Sequence, residues 1–216
     1  MVMKHKVKTE KFFTQEELSR IKETTRSVES RTIGEVAVMI VDSSDRYHEA
    51  EVLGGIFLAS LVALIATVSF FHSSIWIYIS LSFLFFLPSK YLFQKVPVLK
   101  IAFIGARRKE HTVMQRALRA FYEKGLYKTK KNTGVLFFLS LLERKVWVLA
   151  DKGIHDKIEQ EALNKFAAIV SRGIREGRAC DALCEAIMKS GELLAKHFPI
   201  APGDVNELSD EVMTGE

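Results

Sequence analysis

Residues 52–71 read VLGGIFLASLVALIATVSFF, an uncharged run inside a chain otherwise rich in charge. As a helix it would be about 30 Å long, which matches the hydrocarbon thickness of a bilayer. Val52, Leu53, Ile56, Phe57, Leu58, Leu61, Val62, Leu64, Ile65, Val68, Phe70 and Phe71 carry its apolar weight. At about −0.3 to −0.6 kcal/mol each, such residues favour insertion by about 4 to 7 kcal/mol in total, with no charge to oppose it. The run predicts a membrane-spanning helix inserted into an otherwise soluble sequence.

A second apolar run starts at Ile75 and reaches Leu87 before Pro88, with Tyr91, Leu92 and Phe93 extending it. Trp76 and Tyr78 stand at its start, where amphipathic rings favour the interface, and Lys90 is close enough to the far end to snorkel. His72-Ser73-Ser74 between the runs is uncharged and long enough only to turn the chain. Residues 52–93 therefore predict a transmembrane helical hairpin; a re-entrant or interfacial second helix is the other reading. Gly55, Ala59 and Ala63 form a small-residue stripe on the first helix. Such stripes let backbones approach closely. The stripe is expected to face the second helix, with Ser80 or Ser82 nearby, or a second copy of the chain.

Charge gives an orientation. Lys90, Lys95, Lys100, Arg107, Arg108 and Lys109 follow the second run with no acidic residue among them, and the hairpin tip has no Lys or Arg. The positive-inside rule places this flank, and with it both termini and the soluble parts, in the cytoplasm, the hairpin lying in the inner membrane. The formal net charge is +5, and the five acids of the last 19 residues (Asp204, Glu207, Asp210, Glu211, Glu216) leave +10 on residues 1–197. That excess suits an anionic lipid headgroup surface. No nucleic-acid-binding motif accompanies it. The first 30 residues lack the apolar core of a signal peptide. Cys180 and Cys184 stand at helical i, i+4 spacing and read as small buried hydrophobes in a reducing compartment. A transporter is excluded, because two helices without an intramembrane charge offer no substrate pathway.

The remaining sequence divides around the hairpin. Residues 1–12 are a basic, flexible N-terminus and 13–51 the first part of an α/β domain. Residues 94–108 are a basic membrane-exit segment, 109–199 the second part of the domain, and 200–216 an acidic tail expected to be disordered. Thr14 and Glu17 form a capping box, flanked by Phe13 and Leu18 at staple positions, and predict a helix to about Glu29. Ile33 to Val41 is apolar on both faces, the mark of a strand covered on both sides. Val113, Ala117, Leu118 and Phe121 mark an amphipathic helix stopped by Gly125. Gly134–Leu142 and Lys145–Ala150 predict two strands joined by the tight turn Leu142-Glu143-Arg144-Lys145. Helices over 155–172 and 178–197 follow, separated at Gly173 and Gly177. The fold class is α/β: a small mixed sheet flanked by helices on both faces, interrupted by the inserted two-helix hairpin. Neither half can complete the sheet alone.

Four short motifs resemble those of a known family. They are Thr32-Ile33-Gly34-Glu35-Val36, Asn132-Thr133-Gly134-Val135-Leu136, Glu143-Arg144-Lys145-Val146 and Asp151-Lys152-Gly153-Ile154. In order and spacing, over about residues 13–41 and 109–199, they resemble the TPM-domain family. Its members include thylakoid-lumen proteins involved in photosystem repair and bacterial proteins of unknown role. The resemblance implies an α/β sandwich, divalent cation binding in some members (calcium or magnesium) and a weak acid phosphatase activity. This chain departs from the family pattern at Asn132, where many relatives carry an acid, at His155, where many carry Glu, and at Asp151, which replaces Gly.

The candidate metal ligands are Asn132, Asp151, His155 and Asp156, all expected at one end of the sheet, where oxygen ligands and one imidazole could hold a cation. The alternative is purely structural: a turn before one strand, and a helix start whose acid favours the dipole. Asp151, His155 and Glu35 are the catalytic candidates. Glu35 interrupts an apolar strand and needs a partner or a shifted pKa; Arg144 or Lys145 is the expected partner, which would make Glu35 structural. Two functions stay open. One is a membrane-anchored binding or scaffold module in membrane-protein assembly or quality control, with a membrane-protein partner or a homo-oligomer. The other is a metal-dependent phosphoester hydrolase.

Overall fold

The computed structural model describes Thr9, residues 12–71, 74–201 and 206–215. The expected basic N-terminus and the centre of the hairpin turn lie largely outside the described residues. The elements, in order, are α1 (Gln15–Glu29), β1 (Glu35–Val41), α2 (His48–Phe70), α3 (Ile75–Lys95), α4 (Pro97–Lys100), α5 (Ala106–Glu123), β2 (Gly134–Ser140), β3 (Lys145–Ala150), α6 (Lys152–His155), α7 (Gln160–Arg175), α8 (Ala179–His197) and β4 (Met213–Gly215). They form two compact units: Asp45–Glu110 holds the apolar hairpin, and the residues up to Ser44 and from His111 onward hold the sheet.

In the sheet unit the strand order is β3-β2-β1-β4. β1 runs parallel to β2 with Glu35 opposite Gly134 and Val41 opposite Ser140, while β2 and β3 are antiparallel with Ser140 opposite Lys145. Strands from both sides of the insertion thus share one sheet, as a strand apolar on both faces requires. On one face Val36, Val38, Ile40, Phe137, Leu139 and Val148 pack with residues of α1, α7 and α8. On the other, Ala37, Met39, Val41, Leu136 and Phe138 pack with Val113, Ala117, Ala120 and Phe121 of α5. Leu118, expected on the inner face of α5, is 47% exposed because it lies off the stripe that meets the sheet.

Local chemistry sets the helix ends. Glu17 donates its N–H to Thr14 Oγ1 at 3.2 Å and Thr14 donates its own to Glu17 Oε2 at 2.7 Å, completing the expected capping box. Gly173 does not separate two helices as expected: it lies inside α7, where a Cβ would stand 2.0 Å from Ala182 Cβ, so its missing side chain lets α7 and α8 cross closely. The break comes at Gly177, whose φ of 73° suits glycine. The tail also departs from expectation. Residues 206–215, read from their acidity as unstructured, run along the sheet edge, and β4 pairs parallel to β1 with Met39 opposite Met213. Basic side chains of α1, described below, offset the charge that argued for disorder.

In the hairpin unit both helices are long and apolar enough to cross a membrane. They pack antiparallel. Gly55, Ala59 and Ala63 are buried, and a Cβ on Gly55 would lie 3.1 Å from the Lys90 Cα, so the small-residue stripe does face α3. Ser82 lines the same groove as Ala59, whereas Ser80 donates its hydroxyl back to the Trp76 carbonyl. Pro88 sits inside α3 and leaves the helix continuous. The large outward side chains stay uncovered: Phe57 is 59%, Trp76 77% and Phe83 78% exposed. Of the six basic residues after the second apolar run, Lys100 is buried against Glu51 at 2.6 Å and also donates to the Arg46 carbonyl. Arg108 bridges Asp45 and Glu49.

Candidate functional site

The parallel β1–β2 pair and the antiparallel β2–β3 pair bring Glu35, Asn132-Thr133 and Asp151 to one end of the sheet. Glu35 stands opposite Gly134, and the Asp151 N–H donates to the Gly134 carbonyl at 2.9 Å. Thr133 stitches the strands there: its hydroxyl donates to the Ile33 carbonyl at 2.9 Å and its own carbonyl accepts the Glu35 N–H at 3.1 Å. Gly134 and Gly153 pack so closely that a Cβ on either would come within 2.6 Å of a backbone oxygen, of Leu126 and Asn132 respectively. The motifs that suggested a site are, in the first instance, the joints of the sheet.

The candidate ligands do not converge. Asn132 is exposed with φ 55°, a left-handed turn residue. Asp151 caps α6 by accepting the Lys152 N–H on Oδ1 at 2.7 Å, while its Oδ2 is buried and meets no hydrogen-bond donor among the described residues. His155 and Asp156 are exposed. Among the described residues, no group of three or more His, Cys, Asp or Glu side chains is arranged to hold a metal ion. Asp151 Oδ2 fits a cation as one donor, with the Lys131 and Asn132 carbonyl oxygens close to neighbouring Gly153. A strong calcium site presents several carboxylates.

Glu35 is buried, and the structure corrects its partner. Arg144 and Lys145 lie at the opposite end of the sheet, six residues along β1, or about 20 Å away at strand rise. Glu35 Oε1 instead accepts the Glu207 N–H at 3.1 Å, from the C-terminal segment. Glu29, unremarked in the sequence, is a second buried carboxyl at this end. Burial, with a hydrogen bond to Asp210 and the charge of Glu35 behind it, pushes its pKa up to about 9, although the Val36 N–H donates to it. For Asp210, burial is outweighed by hydrogen bonds from Glu29, Asn206 and Arg26, which hold it below the usual carboxylate range. Glu29 follows Ile21, Thr25 and Val28 on the buried face of α1, and that register was the signal available for it. At the other end, buried Glu143 accepts the Ser44 N–H at 2.9 Å and the Ser140 hydroxyl at 2.5 Å, fastening the end of β1 to that of β2.

A family model for the TPM domain matches residues 100–192, which include α5, β2, β3, α6, α7 and most of α8. Over that stretch the chain is similar to the TPM domain, and it includes three of the four motifs that suggested the family; α1 and β1 lie outside it. The structure is similar to the NMR structure of the BA42 protein from the psychrophilic bacterium Bizionia argentinensis. The TM-score is 0.60 at 20% identity, over 94% of this chain and 96% of that one, a likeness of fold. A comparison with curated proteins gives no match.

Proposed function

We propose that this chain is a membrane-anchored TPM-domain protein whose α/β unit serves as a binding or scaffold module in membrane-protein assembly or quality control. The observation that carries this reading is the use of polar atoms at the sheet end: Thr133 joins strands, Asp151 caps α6 and Glu35 holds the C-terminal segment. Those groups are engaged in holding structure together. The exposed apolar faces of α2 and α3 favour a bilayer as their surroundings. In this reading the hairpin crosses the inner membrane, the α/β unit and both termini face the cytoplasm, and exposed basic residues such as Lys95 and Arg107 meet anionic headgroups. The partner is a membrane protein or a second copy, not nucleic acid.

Labelling tests the topology directly, because native Cys180 and Cys184 are buried. A membrane-impermeant maleimide added to intact cells should modify a cysteine placed at Ser73 and spare one placed at exposed Ser209. The reverse pattern would overturn the orientation.

The second reading, a metal-dependent phosphoester hydrolase, is favoured by the buried Asp151 Oδ2, which meets no hydrogen-bond donor among the described residues. Calcium or magnesium there would supply Lewis-acid chemistry, with Asp151 as first ligand, His155 next and Glu35 in support. Metal-dependent phosphatase turnover by the purified protein, lost in Asp151→Ala, would establish this reading and displace the first.

A further inference from the structure

The segment 206–215 lies on the β1 edge as a peptide ligand lies on a receptor. Its contacts follow a pattern. Asn206 Nδ2 donates to Glu29 Oε2 at 3.2 Å and to Asp210 Oδ1 at 2.6 Å. Glu207 donates its N–H to Glu35 and accepts the Lys130 N–H at 3.0 Å. Asp210 pairs with Arg26 at 3.1 Å, and Glu211 with Lys22 at 2.9 Å. Leu208 and Met213 pack on the α5 side of the sheet and Val212 on the α1 side, so the segment straddles the edge. A Cβ on Gly215 would stand 2.5 Å from Met39 Cε, so a larger residue there would have to displace the end of the Met39 side chain.

The seat is more firmly built than its occupant. Every residue of β1 is buried, whereas β4 has three residues, with Thr214 exposed. The Lys22–Glu211 side chains are 38% and 71% exposed. Pairs so exposed are worth about 0 to 1 kcal/mol. Segments held this way open before the core does, and an uncovered strand edge recruits another strand.

We propose that the β1 edge is a strand-acceptor site for an extended acidic segment of a partner protein, with residues 206–215 as its resident competitor. The ligand would present carboxylates to Lys130, Arg26 and Lys22, and apolar residues at the positions of Leu208, Val212 and Met213. Charge complementarity commits the site to an acidic partner. This deepens the binding-module reading and rests on it for its biological setting; its failure would leave the topology and turnover tests above untouched.

The test uses the full chain in detergent and a fluorescein-labelled peptide of residues 206–215, read by anisotropy. The double variant Asn206→Ala/Asp210→Ala loosens the resident segment. It should bind the peptide at least ten-fold more tightly than the unaltered chain, and bind a peptide with Glu207, Asp210 and Glu211 replaced by Lys at least ten-fold more weakly. Met213→Asp, which loosens β4 from the other side, should behave alike and serves if the first variant fails to fold. The unaltered chain, titrated to high peptide concentration, should show the same charge preference. Folded variants that bind no peptide, or bind both peptides equally, would overturn the proposal. So would light scattering that shows the loosened chains pairing with each other, since a second copy would then be the occupant.

Discussion

Strand β1 and helix α2 are built from the same kinds of side chain and bury them to opposite extents. No residue of β1 is more than 4% exposed, whereas Leu53, Phe57, Ile65 and Val68 of α2 are each more than half exposed. β1 is covered by helices on both faces; α2 is buried along one stripe that includes Gly54, Gly55, Ala59, Ala63 and Thr67, with α3 packed on Gly54 and Gly55. Apolar composition alone therefore does not say what will cover a segment. Length narrows the choice: seven residues of strand can be enclosed by one small domain, while the apolar part of the 23-residue α2 is long enough to be a candidate membrane span.

The largest test of this contrast replaces one valine in each region with a charge. Val38→Asp in β1 should abolish folding, at a cost above about 4 kcal/mol for an unpaired buried charge. Val68→Asp should leave the sheet unit folded. In a bilayer it should reduce insertion, by less than the about 2.5 to 3.5 kcal/mol of a helix centre because Val68 lies near the end of α2, seen as protein lost from the carbonate-washed membrane fraction. Retention unchanged by Val68→Asp would break the comparison.

Next in size is the buried ion pair of the hairpin unit. Lys100→Met removes the ammonium that pairs with buried Glu51 and leaves it the weaker contacts with His48 and Gln94; it should cost up to about 3 to 5 kcal/mol, measured by thermal unfolding in detergent. Adding Glu51→Leu should restore most of it, because no buried charge then remains unpaired. Ala59→Ile is expected to cost about 1 to 3 kcal/mol by overpacking the α2–α3 contact. The same change at Val62, which is 36% exposed, should be nearly silent.

The pH dependence of the sheet unit is a separate test. Glu29, with its folded pKa raised from 4.5 to about 9, stabilises the fold fully below pH 4.5, and that contribution is lost as the pH climbs toward 9. Asp210 has the opposite sign: its contribution is present above 3.8 and lost as the pH falls through its lowered folded value. Glu35 faces Glu29 and Arg26 faces Asp210 in this pair. Thermal melts should therefore weaken from pH 5 to 9, and Glu29→Gln should flatten that slope. The smallest expected effect is Thr14→Ala, which removes the capping box of α1 at a cost of about 1 kcal/mol without altering membrane retention.

Much of the fold was legible because it is written locally. The capping box, the three longer strands, the apolar hairpin and the small-residue stripe each rest on spacing within one element, and each forms as its pattern predicts. The candidate site was legible only as a place. Parallel and antiparallel pairing bring Glu35, Asn132 and Asp151 to one end of the sheet, but their roles depend on which atoms meet there. The partner of Glu35 was misread because Arg144 is near in motif order and far in register. Gly173 was misread because its reason, Ala182, sits on another helix.

The sequence by itself determined that this chain has a small α/β domain split by a long apolar hairpin, since periodicity and length are properties of single segments. Only the tertiary structure decided that the acidic C-terminal segment becomes an edge strand and that Glu29 and Asp210 come together. Only there did Asp151 become a helix cap. Each of these depends on pairing residues far apart in the chain, where the cost of burying a charge is settled by the groups that surround it.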